Sequence, residues 1–221
     1  MKKLEFLTFS GILAAIMIFI TAIVMSAKQT PPPADSTSIR DSAAITMPLH
    51  QTYKGIEING SHKDLAARLE FQEKHAVKTA PCEYAYTGTF AGYRTRNSIL
   101  VTPLSGTAYA VLTYIEHRPG FEDAYSDFKV FLNNLTAVYG NPYAKKEEFK
   151  SPYSRGDGYS IKALNEGKAD FTAAWRTDLG IIFIKVMPTP EGGACLMISY
   201  TDNANEELNQ QEKTQIIRRD L

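Results

Sequence analysis

The chain has 221 residues and balances 24 Lys and Arg against 24 Asp and Glu, with 44% hydrophobic residues. Neutrality without a basic stripe argues against nucleic acid as a partner, and against docking on anionic lipid through a polybasic patch. The ~170 residues that follow the N-terminal region suffice for one domain with its own core, so the two cysteines are not needed as a staple.

The first segment reads as an export signal or a membrane anchor. Lys2 and Lys3 precede an apolar run from Phe6 to Ala27, and Pro31, Pro32 and Pro33 follow it. A secretory signal has a positive start, an apolar stretch and a small-residue cleavage site, and Val24-Met25-Ser26 suits the last. The run is also long enough for a spanning helix, which needs ~20 apolar residues. Both readings stand, residues 1–27 being a signal peptide or an N-terminal anchor. Either one puts the rest of the chain outside the cytoplasm, because the two lysines favour an inside N-terminus. No cysteine lies near the end of the run, which argues against a lipoprotein signal.

Residues 28–50 are rich in Pro, Ser, Thr and Ala and have no hydrophobic period, so they read as a flexible tether. Asp35-Ser36-Thr37 and Asp41-Ser42-Ala43 match a short O-glycosylation pattern of exported proteins in Bacteroidota, making Ser36 and Ser42 candidate acceptors; ordinary linker composition is the other reading. Without residues 1–27 the chain carries 22 basic and 23 acidic residues, since Lys2, Lys3 and Glu5 are lost.

Residues 51–221 read as a single domain. Lys54–Gly60 is an extended lead-in. Ser61 caps a helix with Asp64 three residues on, turning Leu65, Leu69 and Ala66 inward and ending near His75. Strands are expected at Glu83–Thr89, Asn97–Pro103 and Thr107–Glu116, the last two joined by a turn at Leu104-Ser105-Gly106. Phe121, Tyr125, Phe128, Leu132, Leu135 and Tyr139 recur at spacings of four and three. They define a helix face, closed by Gly140 and Pro142, whose aromatics read as core. A strand at Ala144–Phe149, a loop at Ser151–Gly158 and a short helix at Tyr159–Gly167 follow. Strands at Asp170–Arg176, Gly180–Met187 and Ala194–Tyr200 complete the sheet. A polar helix over Asn205–Leu221 is anchored by Leu208, Ile216 and Ile217. Short meanders without crossovers predict an α+β fold of antiparallel three-strand meanders with flanking helices, in two helix-plus-meander halves that echo each other.

No catalytic or metal motif is present. His50, His62, His75 and His117 are never three or four apart, no Cys-x-x-Cys occurs, and no Gly-x-Ser-x-Gly elbow occurs. Neither a metal nor another cofactor is expected. The segment most like a site is Phe90–Asn97, where Tyr93, Arg94 and Arg96 bring arginines and an aromatic to the junction of two strands. Its bland reading is a solvated turn. Trp175, the single tryptophan, is either a sugar platform or a half-buried sheet residue. Cys82 and Cys195 can pair in an oxidising compartment, or Cys195 is a small buried hydrophobe within Ala194–Ile198.

Several stretches together are similar to a group of uncharacterised extracytoplasmic proteins of Bacteroidota. They are Lys54–Ser61, Gly88–Tyr93, Leu135–Pro142, Trp175 ahead of Gly180-Ile181-Ile182, and Tyr200–Asn205. The resemblance covers most of residues 53–221 and implies an envelope location, but it carries no activity and no site residues. At fold level, helix-plus-meander modules resemble the beta-lactamase inhibitory proteins and the small lipoprotein of the outer-membrane barrel-assembly machinery, which bind proteins. Such analogy says little about function. The expectation is a non-catalytic binding module in the cell envelope. Its partner would be an envelope protein or glycan, with the membrane held through the N-terminal segment if that is uncleaved. The competing expectation is an envelope hydrolase acting on peptide or glycan, which requires a cleft with converging carboxylates or a paired nucleophile.

Overall fold

The structure is a computed structural model that describes residues 49–115 and 120–221, with backbone alone for 73–79. The expectations for residues 1–48, including Ser36 and Ser42, and for His117 lie outside the described residues.

The chain enters through a small hairpin, β1 (Thr52–Tyr53) and β2 (Ile56–Glu57), turned by Lys54 and Gly55 at positive φ. Helix α1 (His62–Arg68) starts as its sequence predicts, with the Ser61 hydroxyl accepting from the Asp64 amide at 3.2 Å. It ends earlier than expected, at Arg68. Glu70 takes φ 56°, the Phe71 amide bonds back to Ala66, and the chain leaves as strand β3 (Gln72–Ala80). This strand pairs on one side only, and its sequence lacks the apolar alternation that betrays a half-buried strand.

Strands β4 (Glu83–Phe90), β5 (Tyr93–Val101) and β6 (Ala108–Ile115) continue the meander. Helix α2 (Phe121–Tyr139) then crosses the sheet, and Gly140 at φ 79° ends it, its amide on the Thr136 carbonyl. Strand β7 (Ala144–Phe149), the short helix α3 (Ser160–Asn165), and strands β8 (Ala169–Arg176), β9 (Gly180–Pro188) and β10 (Ala194–Asp202) follow, and helix α4 (Asn203–Asp220) is last. The fold is α+β.

All eight strands from β3 onward form one antiparallel sheet in the order β3-β4-β5-β6-β10-β9-β8-β7. The last strand of each run meets at the centre, where Leu196 pairs with Ile115 and Thr201 with Ala110. On one face lie α1, α2 and α3, over Ile99, Val111, Trp175, Ile184, Leu196 and Ile198, all buried. Phe121, Phe128, Leu132 and Leu135 of α2 supply the facing layer, as their spacing predicts. Edge strand β7 is charged. Its Glu147 takes hydrogen bonds from the Tyr125 hydroxyl at 2.9 Å and from Lys129 at 3.2 Å, with Lys145 also 3.2 Å away. Such an edge resists pairing with another chain.

Among the described residues, no helix is long and apolar enough to cross a membrane.

Candidate functional site

The segment Phe90–Asn97 is not a free recognition loop. It is a tight hairpin: Ala91 and Gly92, at φ 49° and 84°, make the two-residue turn between β4 and β5. From Tyr93 onward the residues alternate across the sheet, so the three predicted binding residues separate. Tyr93 points beneath α2 and its hydroxyl donates to the buried Asp127 carboxylate at 3.2 Å. Arg94 and Arg96 point to the opposite face. Arg94 is exposed, and the Arg96 guanidinium lies 4.5 Å over the Tyr114 ring, on the residue it pairs with in β6.

Trp175 is a core residue rather than a platform. Only 1% of it is accessible, and its indole N–H donates to the Gly140 carbonyl at 2.9 Å, tying the end of α2 to β8. The cysteines do not pair. Both are free of disulfide. The carbonyl of Cys82 accepts from the Val101 amide at the end of the sheet where β5 turns into β6, whereas Cys195 adjoins Leu196, the partner of Ile115 at the other end. The long strands between them preclude a bridge.

The strongest polar knot is structural. Asp202, 1% exposed, uses both carboxylate oxygens: Oδ2 accepts from the Gln51 amide at 2.7 Å, and Oδ1 accepts from the Asn205 amide at 2.8 Å beside His50 Nδ1 at 3.1 Å. It caps α4 and fastens the lead-in chain in one step. The Gln51 side chain in turn accepts from Thr177 at 2.5 Å. Glycine at 180 permits this crowding, since a Cβ there would collide with the Thr201 carbonyl and with Gln51. A second knot joins Tyr53, Thr113, Asn97 and Thr95 inside the core, with Tyr53 Oη 2.7 Å from Thr113 Oγ1 and Thr113 donating to Asn97 at 2.9 Å. Burial pushes the Tyr53 hydroxyl pKa well above its usual range, so it stays protonated and able to donate. Among the described residues no group of three or more His, Cys, Asp or Glu comes together as a metal site would require.

What distinguishes the molecule is the second face of the sheet. Leu112, Tyr114, Phe183, Met187, Cys195 and Met197 alternate away from α1, α2 and α3, and all are buried. They form an apolar layer separate from the helix-covered core. Helix α4 meets β6, β10 and β9, but its own buried residues are Asn205, Asn209 and Glu212, which are polar. Asn205 donates to the Ile58 and Ala108 carbonyls, and Glu212 accepts from the Leu104 and Ser105 amides. Leu208 and Ile216 of the same helix are half-buried. Arg96 on Tyr114 marks the margin of the apolar layer on the β5 side.

Sequence reasoning missed this face, although one signal of it is present. The run Ala108–Ile115 is apolar at every second position in both registers apart from Thr113, the signal of a strand buried on two sides. Comparison with known protein families, characterised proteins and solved structures returns no match.

Proposed function

We propose that the domain is a non-catalytic binding module that works outside the cytoplasm and binds an envelope protein at the C-terminal end of α2. One observation carries this reading: Val138, Tyr139 and Tyr143 are exposed there, and the Arg176 guanidinium lies 4.7 Å over the Tyr143 ring. Affinity for a protein surface rather than a glycan follows from that chemistry, since aromatic and arginine side chains are enriched at protein interfaces. The extracytoplasmic address rests on Lys2, Lys3 and the apolar run Phe6–Ala27, together with the resemblance to extracytoplasmic proteins of Bacteroidota.

We also infer that the two halves are pseudo-repeats, each a helix leading into a meander. The strand order β3-β4-β5-β6 followed by β10-β9-β8-β7, with the two final strands meeting, is what a repeated unit closing on itself would give.

The test is affinity capture of the cross-linked full-length protein from envelope fractions, beside a Tyr143→Asp variant shown to be folded. The reading expects a stoichiometric envelope protein with the wild type and its loss with the variant. Equal capture by both would contradict the placement of the surface. Protection of the domain from protease added to intact spheroplasts would contradict the address.

A further inference from the structure

Four sulfur-bearing side chains are placed among the described residues, at Cys82, Met187, Cys195 and Met197. Three of them are neighbours. Cys195 is the direct cross-strand partner of Met187 in the β9–β10 ladder, and Met197 follows Cys195 by two residues, hence on the same side. Directly paired strand residues hold their Cβ atoms about 4.5–5.5 Å apart, and next-but-one residues about 7 Å apart. Thioether side chains are long and flexible enough for all three sulfurs to reach a common point. Cys195 and Met187 are each 4% exposed and Met197 is fully buried, so that point lies within the second apolar layer, away from competing water.

We propose that Cys195, Met187 and Met197 form a binding site for a soft monovalent d10 cation, of the Cu(I) and Ag(I) class. Thiolate and thioether sulfurs select such ions over zinc, calcium or magnesium, which seek nitrogen or oxygen. Charge makes the same choice. On binding, the Cys195 thiol releases its proton, one S–metal bond forms with the thiolate, and the two thioethers donate as neutral ligands. The product is a monovalent ion on one thiolate, with no net charge, which an apolar layer accommodates without the cost of burying an ion. A divalent ion in the same place would leave one positive charge uncompensated beside Lys185, the cross-strand partner of Met197. Ordinary core packing accounts for any one of these residues, but their juxtaposition on adjacent strands gives a complete soft ligand set.

This inference concerns the isolated protein and does not depend on any envelope partner, so the two fail separately. The experiment titrates full-length protein with Ag(I), and with Cu(I) under anaerobic reductant. Stoichiometry is read by native mass spectrometry, the metal–thiolate bond by ultraviolet charge-transfer absorption, and affinity by competition with a chelator. One ion per chain and release of about one proton are expected. Cys82→Ser should leave both unchanged, because that thiol lies at the other end of the sheet. Met187→Leu and Met197→Leu nearly conserve volume, so their near-ultraviolet circular dichroism should stay native while affinity falls by about tenfold or more each. Undiminished affinity in the double methionine variant would mean that a thiol alone binds, and would overturn the site. So would loss of binding in Cys82→Ser, or no stoichiometric binding by the wild type.

Discussion

Glu212, in the third turn of α4, accepts a hydrogen bond from the Leu104 amide at 2.6 Å and from the Ser105 amide at 3.1 Å. A single carboxylate thereby ties the C-terminal helix to the β5–β6 turn. Burial pushes its pKa up, but hydrogen bonds from Ser105, from the Leu104 amide and from Thr102 outweigh that, and the carboxyl titrates below the ordinary glutamate range. The stability Glu212 contributes is therefore present above its unfolded pKa of about 4.3 and is lost as pH falls through the lower folded value. Glu212→Gln should destabilise the domain by about 1–2 kcal/mol at neutral pH. In urea unfolding series, the gap between variant and wild type should close toward pH 3. A gap that widens on acidification would refute the assignment.

Glu147 behaves the same way on edge strand β7. Burial raises its pKa, while hydrogen bonds from Tyr125, Lys129 and Lys145 lower it further than burial raises it. Its contribution, like that of Glu212, is full above the ordinary glutamate range and is lost on acidification. Tyr125→Phe removes one of those donors and should bring the Glu147 carboxyl back toward its ordinary value, read by carbon-13 chemical shift across a pH titration.

Asp202→Ala removes a buried carboxylate that serves the Gln51 and Asn205 amides at once. The expected loss is about 2–4 kcal/mol, more than a simple helix cap gives, because two buried amides lose their acceptor. Hydrogen exchange should show the first turn of α4 and the Gln51 amide opening together. Independent exchange of the two would show that they are not coupled.

Trp175 should behave as a core residue in solution. Its fluorescence should resist acrylamide quenching in the folded protein, and oligosaccharides should leave its emission unchanged. Trp175→Ala should cost about 3–5 kcal/mol. Trp175→Phe should cost less, losing the bond to Gly140 and a little volume. Ready quenching would contradict the 1% accessibility.

Much of this architecture is written in local pattern. The stripe Phe121, Phe128, Leu132 and Leu135 specifies α2 and its buried face, and Ser61 with Asp64 specifies where α1 begins. What pattern hides is whatever depends on a distant partner. Asp127 lies on the buried face of α2 because the Tyr93 hydroxyl waits there. In α4 the expected anchors Leu208 and Ile216 are half-buried and Ile217 is 60% exposed, while the buried residues are Asn205, Asn209 and Glu212. Those polar residues are buried because carbonyls of Ile58 and Ala108, and amides of the β5–β6 turn, are left over by the sheet. The cluster of Tyr93, Arg94 and Arg96 looked coherent as a string of letters. Strand alternation divides it between two faces, and only a chain known to be in a hairpin there reveals that. The second apolar layer needed the strand order, since it is assembled from β6, β9 and β10, which are far apart in the chain.

The central claim, that the exposed end of α2 is a protein-binding surface, is tested most directly by site-specific photo-crosslinking in intact cells. A photoreactive phenylalanine analogue replaces Tyr143 beside that end, 40% exposed, or Tyr159 ahead of α3, 59% exposed. The account predicts one discrete heavier adduct with an envelope protein from position 143 and none from position 159. Adducts confined to the chain itself from position 143, or the same adduct from both positions, would contradict it.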